Sequence, residues 1–417
     1  MAFDSTLWGR RVQLTGLSPS ASLSGFIALV SLDNVPVEAI DAGSNSALNG
    51  GGDLRFSTDN AGVNQLPLEV VEYVADATEG NRRCHLFIRF PTYSSGARDV
   101  WMFYDKAAET QPAVGAAFGR NAVYVDREFQ YNLHDSSSVI DSSGNSTPTV
   151  NGTLSDDQTS PFGSGVNFDD DEWLDLGSDV GDTTGDISYR CWLEAPVTDS
   201  FSTIMSQRAA AVYSFQWRLE ALDPALLIGT ASPNSPGPVL VTGTWYQLVM
   251  TVSGTTITYY RNGVSQGTDS VTGSRSLTGI NTFIADISDA SPPTNPTGIS
   301  YIGALADMSI EFGAVPIALV KSEYDNKNDA STFWTTGTPE DTAVTGGANN
   351  PNDFILGIAG LTSLSVPDRW QEYLTGKGFP YDTFNESKFA WLGTNGGFTG
   401  SLTDRTAAWR DAGFPDV

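Results

Sequence analysis

Between Thr244 and Val264 apolar and polar residues alternate on both sides of Ser253-Gly254. Period-two alternation around a tight turn predicts two strands that each turn one face inward, and Arg261-Asn262-Gly263 predicts a second turn after them. The same grammar runs through the first 125 residues. Short apolar runs at 25–32, 67–74, 85–90 and 100–104 are separated by Gly, Asn, Asp and Ser clusters, so an antiparallel β-sandwich is expected over 1–125. Further strand-like runs at 129–134, 187–193 and 300–304 extend the pattern through a second sandwich over 126–340.

After Gly337 the period changes. Residues 341–417 begin as a Gly-, Asn- and Pro-rich linker. Ser365, Thr383 and Ser401 then each precede a carboxylate by three residues, at Asp368, Glu386 and Asp404, the spacing of a helix-capping box. Tyr373, Trp391 and Trp409 repeat with the same interval, and Gly378, Gly396 and Gly413 stand near the expected stops. Three short helices are predicted, too short to be stable alone, so their aromatics must pack on each other or on a partner. The expected fold class is therefore mainly β: two antiparallel sandwiches and a small C-terminal helical repeat segment.

Composition narrows the partners. The chain has 417 residues, 40% of them apolar and 11% aromatic, enough to bury real cores. Its formal net charge of −27 opposes contact with phosphate backbones and anionic membranes, since such contacts depend on basic side chains displacing counterions. Nucleic acid is excluded as a main partner, and no apolar run is long enough for a membrane-spanning helix. If Met1 is the natural start, no secretory signal is expected. Cys84 and Cys191 both lie in apolar strand-like runs and read as buried free thiols. With His85 and His134 as its only histidines, the chain is poor in material for zinc or triad chemistry.

Several segments carry family resemblances. Gly52-Asp-Leu-Arg-Phe56, Leu66-Pro-Leu-Glu-Val-Val-Glu-Tyr73 and Val100-Trp-Met-Phe-Tyr-Asp105 resemble an uncharacterised bacterial β module that precedes laminin-G domains. Its closing motif is altered here to Phe103-Tyr104-Asp105-Lys106. Phe129 to His134, the expected hairpin at 165–177, the strand at 187–193, the Trp245–Val264 hairpin and Ser300 to Ala304 together resemble a laminin-G/concanavalin-A-like jelly roll. The segment 321–333 resembles the closing segment of such domains. Residues 365–370 and 398–409 resemble short repeats at the ends of tailed-phage structural proteins.

Candidate chemistry is sparse. Laminarinase-type relatives of the jelly roll carry Glu-x-Asp-x-x-Glu, which puts nucleophile and acid in one cleft. The nearest string here, Asp307-Met-Ser-Ile-Glu311, lacks the third acid. No catalytic residue is assigned, and a non-enzymatic protein is expected. Asp169, Asp170, Asp171 and Asp175 form the densest carboxylate cluster, a candidate calcium site because calcium prefers oxygen ligands. The alternative for that cluster is an exposed acidic turn. His134 beside Asp135 reads as a strand-end histidine with no nucleophile motif near it. Trp173 and Trp217 are candidates for stacking on sugar rings, whereas Trp192 and Trp245 are expected in the core.

The resemblances imply a tailed-phage virion component: a capsid decoration, head fibre or tail-associated attachment protein. In that picture residues 350–417 dock on other virion proteins, the lectin-like sandwich meets host-surface glycans, and a homo-oligomer is expected. The alternative is a secreted bacterial or archaeal carbohydrate-binding or adhesion protein.

Overall fold

The computed structural model describes residues 3–157, 159–181, 183–196, 201–209, 212–229, 237–271, 278–286 and 300–342. The repeat tail and its predicted helices lie outside the described residues. Residues Met1–Thr342 form one compact unit, built from two sandwiches stacked through a polar junction.

The N-terminal sandwich pairs a wide sheet with a narrow one. The wide sheet runs through Arg10–Gly16, Asp99–Tyr104, Arg55–Ser57 and Gln65–Leu66, and the narrow sheet orders Leu23–Ser31, Arg83–Tyr93 and Leu68–Val74. Alternate residues of both sheets, among them Val12, Leu14, Phe26, Ile88 and Met102, fill the space between them. Cys84 sits in this core as a buried free thiol. The Asp-Leu-Arg-Phe signature has a physical explanation here. Asp53 accepts from the backbone N–H groups of Leu48 at 2.8 Å and Lys106 at 2.9 Å. Arg55 donates to the carbonyls of Leu54 and Thr110, each at 2.7 Å, and pairs with Glu109. One acid and one base thus pin the irregular loops at one end of the sandwich.

The second sandwich has a junction sheet, turned toward the N-terminal module, and a far sheet. The junction sheet orders Ser155–Asp156, Val166–Phe168, Gly303–Phe312, Ile187–Glu194, Trp245–Ser253, Thr256–Arg261 and Val264–Ser270, with Arg127–Tyr131 also paired to Gly303–Phe312. The far sheet orders Asp223–Gly229, Val212–Glu220, Phe201–Ala209, Asn281–Ile284, Trp173–Ser178 and Thr149–Asn151. The expected hairpin forms, with Ser253 opposite Thr256, so that its turn is Gly254-Thr255, one residue beyond the expected Ser253-Gly254. Asn262 and Gly263 follow with φ of 51° and 75°, the left-handed pair that a two-residue turn matching strand twist requires.

Three expectations are corrected. Residues 165–177 do not form a hairpin, because Val166–Phe168 pairs with Gly303–Phe312 in the junction sheet whereas Trp173–Ser178 belongs to the far sheet. The acidic turn between them is a crossover at the sandwich edge. Trp192 is buried outside the sandwich core, stacked on Tyr324 at 5.7 Å between ring centres on the junction side. Trp245 is half-buried at the start of its strand, and its indole N–H donates to Thr159 Oγ1 at 2.9 Å.

The end of the described chain ties the two sandwiches together. A helix, Ile317–Asn328, follows the last long strand and packs on Leu23–Ser31. Leu319 and Val320 join the N-terminal core. Asn326 forms a reciprocal amide pair with the backbone of Leu29, at 2.6 and 3.0 Å, which satisfies groups on an edge strand. Trp334–Thr336 and Glu340–Asp341 then pair with Arg10–Gly16, so the N-terminal wide sheet is completed by residues more than 300 positions away.

Candidate functional site

The register of one strand decides which side chains reach the junction. Leu68–Val74 pairs with Arg83–Tyr93, and its register shifts between Val70 and Glu72. An extra residue in one strand reverses the facing of everything after it. Glu69, opposite Phe87, and Glu72, opposite His85, are thereby brought to the same outer face of the narrow sheet. From the other sandwich, the loop after Arg127–Tyr131 delivers Asn132, His134 and Asp135 to this face.

Glu69 is buried. It accepts from Tyr124 Oη at 2.6 Å, Asn132 Nδ2 at 2.7 Å and Ser142 Oγ at 2.6 Å. Burial pushes its carboxyl above the usual range, and the three donors offset only part of that. The histidines meet: the ring centres of His85 and His134 are 5.0 Å apart, and His134 Nε2 is 3.1 Å from Glu72 Oε2. Burial lowers the His85 pKa to about 3, with the nearby His134 and Lys327 acting in the same direction. Two clefts of about 400 and 340 Å³ open at this junction, and Glu72 and His134 line both. Asp135 lies at the rim of the larger one, held below the ordinary carboxylate range by the Ser137 hydroxyl and backbone N–H.

The carboxylates of the laminarinase-like string are occupied elsewhere in the junction. Asp307 pairs with Lys327 and accepts from Gln130 Nε2 at 2.8 Å, while Glu311 pairs with Arg190 at 2.7 Å and Arg127 at 3.5 Å. Glu323 of the helix pairs with both arginines. Both acids of the string are thus engaged by cations within the junction.

On the far sheet, cross-strand register separates the tryptophans. Leu174, Ile284, Met205, Trp217 and Leu226 form one row of neighbours, and all of them lie in the sandwich core. Trp217 is fully buried there, out of reach of a sugar, which corrects the expectation of a stacking role. The signal was present in the sequence, since Phe215, Trp217 and Leu219 alternate with Ser214, Gln216 and Arg218. Trp173 points to the opposite face, because Leu174 and Leu176 point inward. It is half-buried on the strand beside the edge, opposite Asn151, with its indole N–H unpartnered. Asp175 lies on the same outer face and accepts from Asn281 Nδ2 at 3.1 and 3.0 Å and from Gly177 N at 2.9 Å.

The acidic cluster is not gathered. Asp169, Asp170 and Asp171 are exposed in the crossover turn, whereas Asp175 is committed to Asn281. Among the described residues no three His, Cys, Asp or Glu side chains converge as a metal-ligating group. Among them, too, no helix is long and apolar enough to cross a membrane.

Residues 168–310 match the model of the concanavalin A-like lectin/glucanases superfamily. This segment is a concanavalin A-like domain. It spans both sheets of the second sandwich and includes Trp173 and Trp217, but leaves out the junction histidines. Comparison with curated protein sequences returns no match. Among solved structures the chain is similar to domain 4 of AbnA, an extracellular arabinanase from Geobacillus stearothermophilus, in complex with arabinotriose. The identity is 17% over 48% of this chain and 98% of that one, with a TM-score of 0.40. It is also similar to the botulinum neurotoxin serotype G binding domain, at 13% identity over 48% of this chain and 50% of that one, with a TM-score of 0.38. The binding domain of Paraclostridial Mosquitocidal Protein 1 gives 12% identity over 48% of this chain and 52% of that one, with a TM-score of 0.39. The chain spans about half the length of the two toxin binding domains.

Proposed function

We propose that this chain is a non-enzymatic glycan-recognition protein whose concanavalin A-like domain reads sugars at the outward-facing Trp173. The observation that carries the reading is the pairing on one sheet face of a partly exposed indole with the Asp175–Asn281 carboxylate and amide. An aromatic face for the C–H side of a pyranose, beside polar groups for its hydroxyls, is the usual composition of such a site. The engagement of Asp307 and Glu311 by buried cations supports a role without hydrolysis. The wording of the repeats at 365–409 supports attachment of this body to a tailed-phage particle, with residues 350–417 docking on other virion proteins and the sandwiches meeting host-surface glycans.

A glycan array probed with the full chain tests the recognition. Binding of a defined set of glycans, weakened at least tenfold in Trp173→Ala with an unchanged melting temperature, is expected. An array without bound glycan overturns the recognition, and reducing ends released from a bound glycan overturn the non-enzymatic assignment. Deleting residues 350–417 should abolish incorporation into particles, and unimpaired incorporation refutes the docking role.

A further inference from the structure

The two histidines of this chain are 49 positions apart and come from different sandwiches, yet their rings adjoin at the junction and each carries a buried and unpartnered ring nitrogen. His134 Nδ1 and His85 Nε2 both lack a hydrogen-bond partner. His85 is only 4% exposed, and it lines the smaller cleft together with His134 and Glu72. A buried polar atom without a partner is unfavourable by roughly 1–3 kcal/mol, and two such atoms on adjoining rings point to one missing occupant.

The geometry of the pair states what kind of occupant. In a neutral imidazole one ring nitrogen carries the proton and the other a lone pair, so a His134 that donates Nε2–H to Glu72 Oε2 across the 3.1 Å contact keeps a lone pair on Nδ1. A histidine that donates one ring N–H to a carboxylate while its other nitrogen stays free is the arrangement that orients metal-ligating histidines. The ring spacing agrees. With metal–nitrogen bonds of about 2.0–2.1 Å and tetrahedral angles, two imidazoles on one ion put their ring centres roughly 5 Å apart, against 5.0 Å here. Lys327 lines the same cleft, but its ammonium is paired with Asp307.

We propose that His85 Nε2 and His134 Nδ1 bind one first-row transition-metal ion of the Zn2+, Co2+ or Cu2+ class, with Glu72 orienting His134. Nitrogen donors select this class over calcium and magnesium, which take oxygen ligands. Among the described residues no third protein ligand joins the pair, so the remaining positions face the cleft, open to water or to a donor atom on a bound ligand. The site clips a loop of the lectin-like sandwich to a strand of the N-terminal one. Metal binding and the rigidity of the junction are therefore linked.

The test is titration of chelator-treated full-length chain with Co2+, followed by its visible absorption, and with Zn2+, followed by calorimetry. A large excess of Mg2+ in both titrations keeps the acidic surface occupied. One saturable equivalent is expected, together with a rise in melting temperature on adding Zn2+. His134→Gln and His85→Gln should each abolish both effects, and Glu72→Gln should weaken the affinity 10–100-fold, the usual consequence of losing such a carboxylate. The melting temperature of each metal-free variant shows whether it is folded; if one histidine variant is not, the other and Glu72→Gln carry the test. Absence of saturable binding in the parent chain, or binding unaltered in the folded variants, overturns the proposal and leaves an ordered water as the occupant.

Discussion

Neutralising Glu323 should be among the most damaging single changes at the junction. Glu323 is 2% exposed on its side chain and lies between Arg127 and Arg190, each 5% exposed, with Glu311 as the only other acid on the two guanidinium groups among the described residues. Two buried positive groups are thus balanced by one buried and one partly exposed negative group between the sandwiches. Glu323→Gln keeps the shape and one acceptor but leaves the two arginines sharing Glu311, which is 3.5 Å from Arg127. Removing one partner from a buried pair costs about 3–5 kcal/mol, because the remaining charge is stranded away from water. Urea unfolding followed by tryptophan fluorescence reads this directly, since Trp192 stacks on Tyr324, the neighbour of Glu323 in sequence. A loss under about 1 kcal/mol, the range of exposed ion pairs, would refute the idea that this cluster is a desolvated and mutually dependent unit. The pH dependence supplies a second check. Burial alone would raise the Glu323 pKa, but the charges of Arg190, Arg127 and Lys327 and the hydrogen bond from Arg190 together outweigh it and hold it below the ordinary 4.5. A carboxyl with a depressed folded pKa contributes stability above its unfolded pKa and loses it as pH falls through the folded one. The parent chain should therefore lose stability below about pH 4.5, and Glu323→Gln should show a shallower acid slope.

Glu69 should behave in the opposite sense, since burial raises its pKa and a raised folded pKa means stability lost as pH rises. Glu69→Gln should gain stability relative to the parent as pH increases above the ordinary 4.5, and urea midpoints that shift in parallel across that range would contradict this. Trp217→Ala should lose about 3–5 kcal/mol through a core cavity, while Trp173→Ala should change stability by less than about 1 kcal/mol. Equal losses in thermal unfolding would show that the far-sheet register is misassigned. Gly263→Ala should cost about 1–2 kcal/mol for the left-handed backbone. The new Cβ would also lie 3.1 Å from the Cα of Lys321, so the loss should exceed that of Gly254→Ala, whose turn is open.

Period-two patterning was enough to show the mainly β character and several of the long strands with their inward faces, because alternation is imposed by the pleat of each strand whatever its partners. The Trp245–Val264 hairpin was legible down to its turn, since Asn-Gly is among the few sequences that tolerate two successive left-handed residues. Trp217 was legible too, from its alternating neighbours. Tertiary pairing decided the rest. The strands at 166–168 and 173–178 look like a local hairpin, yet each finds its partners in a different sheet. Trp334–Thr336 looks like the end of the second sandwich and Glu340–Asp341 like the start of a linker, yet both complete the first sandwich. Glu69 and Glu72 share a face only through a register shift, and His85 meets His134 only because two sandwiches stack. Alternation is a property of one strand read along itself. Which edges are free, where a ladder slips and which faces are left to bury are properties of the assembled sheets, and the junction with its histidine pair follows from those alone.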